Sequence, residues 1–114
     1  PRVQYVLYPG LENHPGYEIN KAQTTGFGGM ISFAVDSAET ACQILEGVKL
    51  IKFAESLGGT ESLITYPIRQ THTDLTAEEC AEKGITDCLL RFSTGIEATQ
   101  DLIDDLAQAF TAVE

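Results

Sequence analysis

Apolar and polar residues alternate along several short segments, and this pattern predicts a protein of mixed strands and helices. Residues 27–35 show a period of two, with Ile31, Phe33 and Val35 on one face, and turn residues bound the segment on both sides. Such a pattern is typical of a strand. Other short apolar runs that predict strands cover residues 3–7, 48–53, 62–66 and 88–93.

Three segments with helical spacing separate these runs, besides a weaker one at residues 17–23. Ser37 is a plausible N-cap for a helix that ends at Gly47. Thr76 and Glu79 have the spacing of a capping box, which opens a short helix ending at Gly84. The predicted apolar stripe of the first of these helices is Ala38, Ala41, Cys42 and Leu45.

A final helix is predicted over residues 97–112. Its apolar stripe comprises Leu102, Ile103, Leu106 and Phe110, whereas Asp101, Asp104 and Asp105 are expected outside the stripe. Together these elements predict an α/β fold with a small mixed or antiparallel sheet and helices mostly on one face. The 114 residues suffice for one domain with one core.

The composition of the chain argues against several classes of protein and partner. The formal net charge is -10 with only 7 basic residues, which argues against a nucleic-acid partner. No apolar run approaches the roughly 20 residues of a membrane span. Cys42, Cys80 and Cys88 are odd in number and widely spaced, which predicts reduced thiols in the cytoplasm and no metal site. Cys42 and Cys88 are expected to act as small buried hydrophobes.

Arg91 is the first candidate for chemistry, because it interrupts a buried strand. Leu90 and Phe92 point to one face, so Arg91 shares the other with Leu89. A buried guanidinium needs an anion. Two interpretations stay open: the anion is an internal carboxylate such as Glu61 or Glu97, or it is the carboxylate of a ligand.

Other candidates are weaker. Glu55-Ser56-Leu57-Gly58-Gly59 is a flexible turn after a strand, where backbone amides could meet an anion, although an ordinary turn is the favoured interpretation. Tyr66 and Thr71 are plausible pocket walls. His14 and His72 are isolated histidines, and neither belongs to a catalytic or metal-binding motif.

Several motifs resemble one enzyme family. "AESLGGTESLITYP", then "QTH", then "LLRFSTGIE" followed by "QDLIDDLAQAF", resemble the C-terminal domain of the Cys/Met-metabolism enzymes that use pyridoxal phosphate, the cystathionine synthases and lyases. The segment "YPGLENHPGYEINKAQTTGFGGMISF" resembles the entry to the same domain. The resemblance covers residues 8–110 and implies the small C-terminal domain of a fold-type I enzyme, over residues 1–114.

The resemblance implies roles for five residues. Arg91 would bind the α-carboxylate of the amino-acid substrate. Ser56 and Leu57 would contact the same carboxylate at the rim that faces the cofactor. Glu55 would lie near the far end of the substrate, where the family selects among reactions. Thr71 would line the pocket.

The cofactor-binding part of the family is not represented in this sequence. The lysine that binds pyridoxal phosphate covalently belongs to a Ser-x-Thr-Lys-like motif, and none of Lys21, Lys49, Lys52 and Lys83 lies in one. The chain is therefore expected to correspond to the last third of a subunit whose large domain binds the cofactor. By itself it should be inactive.

The implied partners are the remainder of its own subunit, a sulfur amino-acid substrate and further subunits of a homotetramer. "ESLGG" and "SLITYP" favour the bacterial cystathionine γ-synthase and β-lyase group, in transsulfuration and methionine biosynthesis. The alternative hypothesis is a non-catalytic domain that acts as a binding or assembly module.

Overall fold

A computed structural model describes residues 1–70 and 74–113. Its strands form one sheet and are β1 (Val3–Leu7), β2 (Met30–Val35), β3 (Lys52–Phe53), β4 (Leu63–Thr65) and β5 (Leu89–Ser93). The helices are α1 (Tyr17–Gln23), α2 (Ala38–Gly47), α3 (Pro67–Gln70), α4 (Ala77–Glu82) and α5 (Thr99–Thr111). None of the described helices is both long enough and apolar enough to cross a membrane.

The sheet is mixed, with the strand order β1-β2-β5-β4-β3. β5 is the central strand and pairs antiparallel with both β2 and β4, whereas β3 and β4 are parallel. β1 and β3 are the two edges. The predicted α/β class with a mixed sheet is confirmed.

The two long helices, α2 and α5, cover one face of the sheet. The main core lies between them and strands β2 and β5, and includes Phe33, Val35, Ile44, Leu90, Phe92, Leu102 and Ala109. A smaller cluster on the opposite face contains Ala34, Cys80, Ile85 and Leu89, so the short helix α4 packs there. Because side chains alternate along β5, Arg91 belongs to this second face.

The predicted stripe of α2 is partly wrong. The buried residues are Thr40, Ala41 and Ile44, and Cys42 is exposed rather than buried as expected. Thr40 can be buried because its hydroxyl donates to the Asp36 carboxylate at 2.6 Å. The predicted N-cap is confirmed, since the Ser37 hydroxyl accepts a hydrogen bond from the Thr40 N–H.

Asp105 of α5 is the largest departure from the sequence pattern. It was expected in solvent, yet it is buried. Its carboxylate accepts the N–H groups of Lys49, Leu50 and Ile51 at 2.8, 3.0 and 2.9 Å. Conversely, Ile103 was expected in the apolar stripe but is 52% exposed.

The same carboxylate explains why the strand predicted over residues 48–53 is reduced to Lys52–Phe53. The N–H groups of the three residues before β3 are directed to Asp105, so they are not available to a neighbouring strand.

Several predicted boundaries shift for local reasons. β2 begins at Met30, not at residue 27, because Gly28 has a φ of 82° and interrupts the extended chain. Tyr66 ends β4 because its N–H donates to the Gln70 side chain at 2.7 Å. Pro67 was expected only to end a strand, but it begins the unpredicted helix α3, where its missing N–H costs nothing.

Candidate functional site

Arg91 lies near the centre of the sheet, opposite Ser32 of β2 and Thr65 of β4. Its guanidinium Nη2 donates to the Glu55 carbonyl oxygen at 3.2 Å and to Thr65 Oγ1 at 3.4 Å. The Thr65 hydroxyl in turn donates to the Ala54 carbonyl oxygen at 2.6 Å. The backbone that follows β3 therefore fixes one corner of the guanidinium.

The rest of the guanidinium lacks an acceptor among residues 1–70 and 74–113. Nε is buried and forms no hydrogen bond there, and no described carboxylate forms an ion pair with Arg91. A buried donor without an acceptor costs about 1–3 kcal/mol, and the guanidinium stays charged at neutral pH. A carboxylate with two acceptor oxygens is the kind of anion that matches such a donor set.

The internal carboxylates that could have paired with Arg91 do not do so. Both oxygens of Glu97 accept from Ser62, one from its N–H and one from its hydroxyl, each at 2.7 Å. These hydrogen bonds hold the pKa of Glu97 below its usual value. Glu61 is exposed and forms no ion pair with a described residue. The internal-pair interpretation is therefore not observed.

The turn between β3 and β4 contains three of the predicted site residues, and one of them, Glu55, contacts Arg91. Glu55, Ser56 and Leu57 are all exposed, and the Glu55 carbonyl contacts Arg91 directly. The Glu55 carboxylate forms no hydrogen bond or ion pair with a described residue. Gly58 has a φ of 74°, in the left-handed region that favours glycine.

The sequence pattern did not single out the residues that hold this turn. Ser93 Oγ accepts the Gly58 N–H at 2.9 Å, and the Ser62 hydroxyl accepts the Gly95 N–H at 2.8 Å. Ser93 could have been found, because it lies two residues after Arg91 on one strand and therefore shares its face. Glu97 was named only as a possible partner of Arg91, and nothing in the sequence pattern linked it to Ser62, since the two residues meet only through the fold.

The remaining candidates have structural roles or lie outside the description. Thr71 and His72, predicted as a pocket wall and an isolated histidine, fall in the part of the chain that the structure does not describe. His14 Nδ1 accepts the Gly16 N–H at 2.9 Å. The Tyr66 side chain is buried, which raises its pKa, and its hydroxyl donates to the Asp87 carbonyl. No group of metal-ligating side chains occurs among the described residues.

The donor set around Arg91 fits a carboxylate better than a whole phosphate-bearing cofactor. Lysine is the residue that binds an aldehyde cofactor covalently. All four lysines are exposed and are distributed over separate parts of the chain; Lys21, for example, lies 5.6 Å from the Tyr17 ring centroid. The free donors of the Arg91 guanidinium therefore match the acceptor oxygens of a carboxylate.

Comparison with known proteins places this geometry in a family. A family model described as Cys/Met metabolism PLP-dependent enzyme matches residues 1–111. Cystathionine γ-lyase of Bacillus subtilis is 51% identical over 109 residues, which are 96% of this chain and 29% of that protein. L-methionine γ-lyase of Fusobacterium nucleatum is 47% identical over 99% of this chain and 29% of that protein.

Solved structures give the same result. Cystathionine γ-lyase from Lactobacillus plantarum complexed with L-serine superimposes with a TM-score of 0.92 at 39% identity, over 99% of this chain and 30% of that chain. Cystathionine γ-synthase from Xanthomonas oryzae in complex with cystathionine gives a TM-score of 0.89 at 43% identity, over 96% of this chain and 29% of that chain. The fold is that of the small C-terminal segment of fold-type I enzymes.

The chain spans about 29% of the length of the curated relatives it matches. Their names cover more than one reaction at similar identity, so similarity alone does not separate the reactions. The family match extends over almost every residue, and the chain therefore belongs to the Cys/Met metabolism PLP-dependent enzymes.

Proposed function

We propose that this chain is the substrate-carboxylate-binding part of a pyridoxal-phosphate-dependent enzyme of sulfur amino-acid metabolism. In this account Arg91 binds the α-carboxylate of an amino-acid substrate. The observation that carries the proposal is the half-buried guanidinium at the centre of the sheet, which has no carboxylate partner among the described residues. A structural arginine at such a position would be expected to have one.

The neighbouring turn supports the same role. The Glu55 carbonyl and Thr65 orient Nη2, so a ligand carboxylate would meet a guanidinium that is already positioned. Ser56 and Leu57 follow directly and are exposed, where they can border the carboxylate. Preorganised donors bind a carboxylate more tightly because less side-chain entropy is lost on binding.

Glu55 is proposed to face the distal end of the substrate. Its carbonyl is engaged by Arg91, whereas its carboxylate is exposed and has no partner among the described residues. A carboxylate in that position would favour a substrate with a distal ammonium group over one with an uncharged distal end. This supports a cystathionine-type substrate, as expected for the γ-synthase and β-lyase group.

The cofactor is assigned to the part of the subunit that lies outside this sequence. Pyridoxal phosphate, when bound, supplies an electron sink that permits elimination or replacement at the β or γ carbon. The residues of this chain hold and orient the carboxylate. We further propose that residues 1–114 form the C-terminal small domain, inactive without the large domain, in a homotetramer.

The test is a chimera in which this chain replaces the matching segment of the Bacillus subtilis cystathionine γ-lyase. Replacing Arg91 by Ala should lower kcat/KM for L-cystathionine by about 100-fold or more, since a charged partner is lost. Arg91→Lys should recover little, because lysine lacks the planar two-donor geometry. The exposed Arg69 provides the control: Arg69→Ala should leave kcat/KM unchanged. Equal kinetics for the two alanine variants would refute the assignment.

A further inference from the structure

The turn that orients Arg91 is held almost entirely by polar contacts. Residues 55–61 are exposed, so apolar burial does not fix their position. Nevertheless, the turn supplies the Glu55 carbonyl that accepts from Arg91 Nη2. Whatever holds the turn therefore also sets the position of the guanidinium.

Two groups of contacts tie the turn to the end of β5. Ser93 Oγ accepts the Gly58 N–H at 2.9 Å, on the same face of the sheet as Arg91. Further along, the Ile96 N–H donates to the Thr60 carbonyl at 2.9 Å. The turn is therefore attached to Ser93 at the end of β5 and again to Ile96 just beyond that strand.

Glu97 is the centre of the second attachment. Its two carboxylate oxygens accept the N–H and the hydroxyl of Ser62, each at 2.7 Å. The Ser62 hydroxyl also accepts the Gly95 N–H at 2.8 Å. Ser62 is fully buried, and no basic side chain in the described ranges pairs with Glu97. Both carboxylate oxygens are therefore occupied by donors of Ser62, one from its backbone and one from its side chain.

Gly95 makes this attachment possible. A side chain there would place its Cβ 2.6 Å from the backbone carbon of Glu61, closer than carbon atoms can approach. The backbone of Thr60 and Glu61, which follows the turn residues 55–58, therefore packs directly against Gly95.

We infer that Glu97 is a positioning residue for substrate binding: it clamps Ser62, and the clamped turn holds Arg91 in its carboxylate-binding orientation. The inference rests on the proposed function of Arg91. In this role Glu97 does not pair with Arg91. Its carboxylate binds Ser62, which leaves the guanidinium free for the ligand.

The clamp predicts a specific kinetic signature in the chimera. Glu97→Ala should raise KM for L-cystathionine about tenfold, because small misplacements of a binding group are costly. The kcat should change by less than about twofold, as expected when binding is lost equally in ground and transition states. Glu97→Gln keeps one acceptor oxygen, so its KM should lie between that of the unchanged chimera and that of Glu97→Ala. Glu39→Gln removes an exposed charge on α2, on the opposite face of the sheet from Arg91, and should change neither constant.

A purely structural role would give a different result. Glu97→Ala would then lower the melting temperature and the yield of folded enzyme, while the folded fraction kept its KM; that outcome would overturn the inference. The Arg91→Ala variant separates the two proposals. If Arg91→Ala raises KM and Glu97→Ala does not, only the clamp is wrong; if neither does, the carboxylate-binding role fails as well.

A second measurement applies if the chimera does not fold. In the 114-residue chain, NMR amide exchange of Gly58 reports directly on whether the turn is attached. Faster exchange in Glu97→Ala than in Glu39→Ala, a variant of an exposed residue on α2, supports the clamp. Equal Gly58 exchange rates in the two variants would overturn it.

Discussion

At the scale of single residues, carboxylates hold this fold together in places where the sequence pattern predicts solvent. Asp105 is the clearest case. Burial alone would raise its pKa, but the N–H groups of Ile51, Lys49 and Leu50 and the side chain of Gln108 outweigh it, and the pKa lies below its usual value. One acidic side chain thus replaces a strand partner for three consecutive N–H groups.

Replacing Asp105 by Asn should destabilise the chain by about 3 kcal/mol, because a neutral amide offers one acceptor oxygen and leaves buried N–H groups unsatisfied. Urea unfolding followed by circular dichroism would measure the loss. Asp104→Asn is the control, since Asp104 is exposed and accepts only from Gln100 among the described residues. Equal midpoints for the two variants would contradict the anchoring role.

At the scale of elements, the segments with a regular local pattern were predicted well. The features that depend on tertiary hydrogen bonds were not. The capping box at Thr76 and Glu79 is confirmed, because it is encoded within four residues. β2 was predicted from alternation and β5 from a short apolar run. The strand over residues 48–53 was predicted too long, and the burial of Asp105 and the Ser62–Glu97 contact were missed, because each depends on a partner more than 30 residues away.

In the candidate site, too, the local feature could be predicted from the sequence and the tertiary contacts could not. Arg91 could be selected from sequence alone, because a charge inside an apolar strand is unusual. Its two interpretations could not be separated, since the outcome depends on where Glu97 is directed. The supporting Thr65 has no sequence signal of its own, and it is identified only through the register that places it opposite Arg91.

The close packing of Gly95 against the backbone of Thr60 and Glu61 gives a prediction at this scale. Gly95→Ala should cost about 2 kcal/mol, because the added Cβ forces two backbones apart. Gly26→Ala serves as the control, since a Cβ there meets nothing within 4 Å and its φ is not positive. Differential scanning calorimetry of both variants would show the difference; a Gly95→Ala melting temperature equal to that of the control would exclude close packing.

At the scale of the whole molecule, folding shifts the pKa values of several titratable groups. The directions of these shifts define the pH range in which the fold is most stable. The pKa values of Asp36, Glu79, Glu97 and Asp105 are all lowered in the fold. Each of these groups contributes stability that is present above its unfolded pKa of about 4. This contribution is lost as the pH falls through the lower folded value.

Above neutral pH, the dependence of stability on pH has the opposite sign. Burial raises the pKa of Tyr66 and of Cys88, so the folded state retains these protons more tightly than the unfolded chain. Their contribution is present below the unfolded values and is lost as the pH rises through about 8.5 to 10 and beyond. Thermal unfolding across the pH range should therefore show a plateau near neutrality with a fall on both sides. A melting temperature that rises steadily below pH 4 would contradict the acid side.

The whole molecule also presents apolar surface at the edge strand β1, where Val3, Tyr5, Val6 and Leu7 are all exposed. The chain spans about 29% of the length of its curated relatives, and the proposed function assigns the cofactor to sequence outside it. Within that proposal, the chain contributes one binding determinant of the substrate, and Arg91 is its centre.

The most direct test of this claim is a crystal structure of the chimera with L-serine bound. The account predicts both carboxylate oxygens of the ligand within hydrogen-bonding distance of the Arg91 guanidinium, with Nη2 still directed at the Glu55 carbonyl. A ligand whose carboxylate is held by other residues, with Arg91 unchanged and uninvolved, would contradict it.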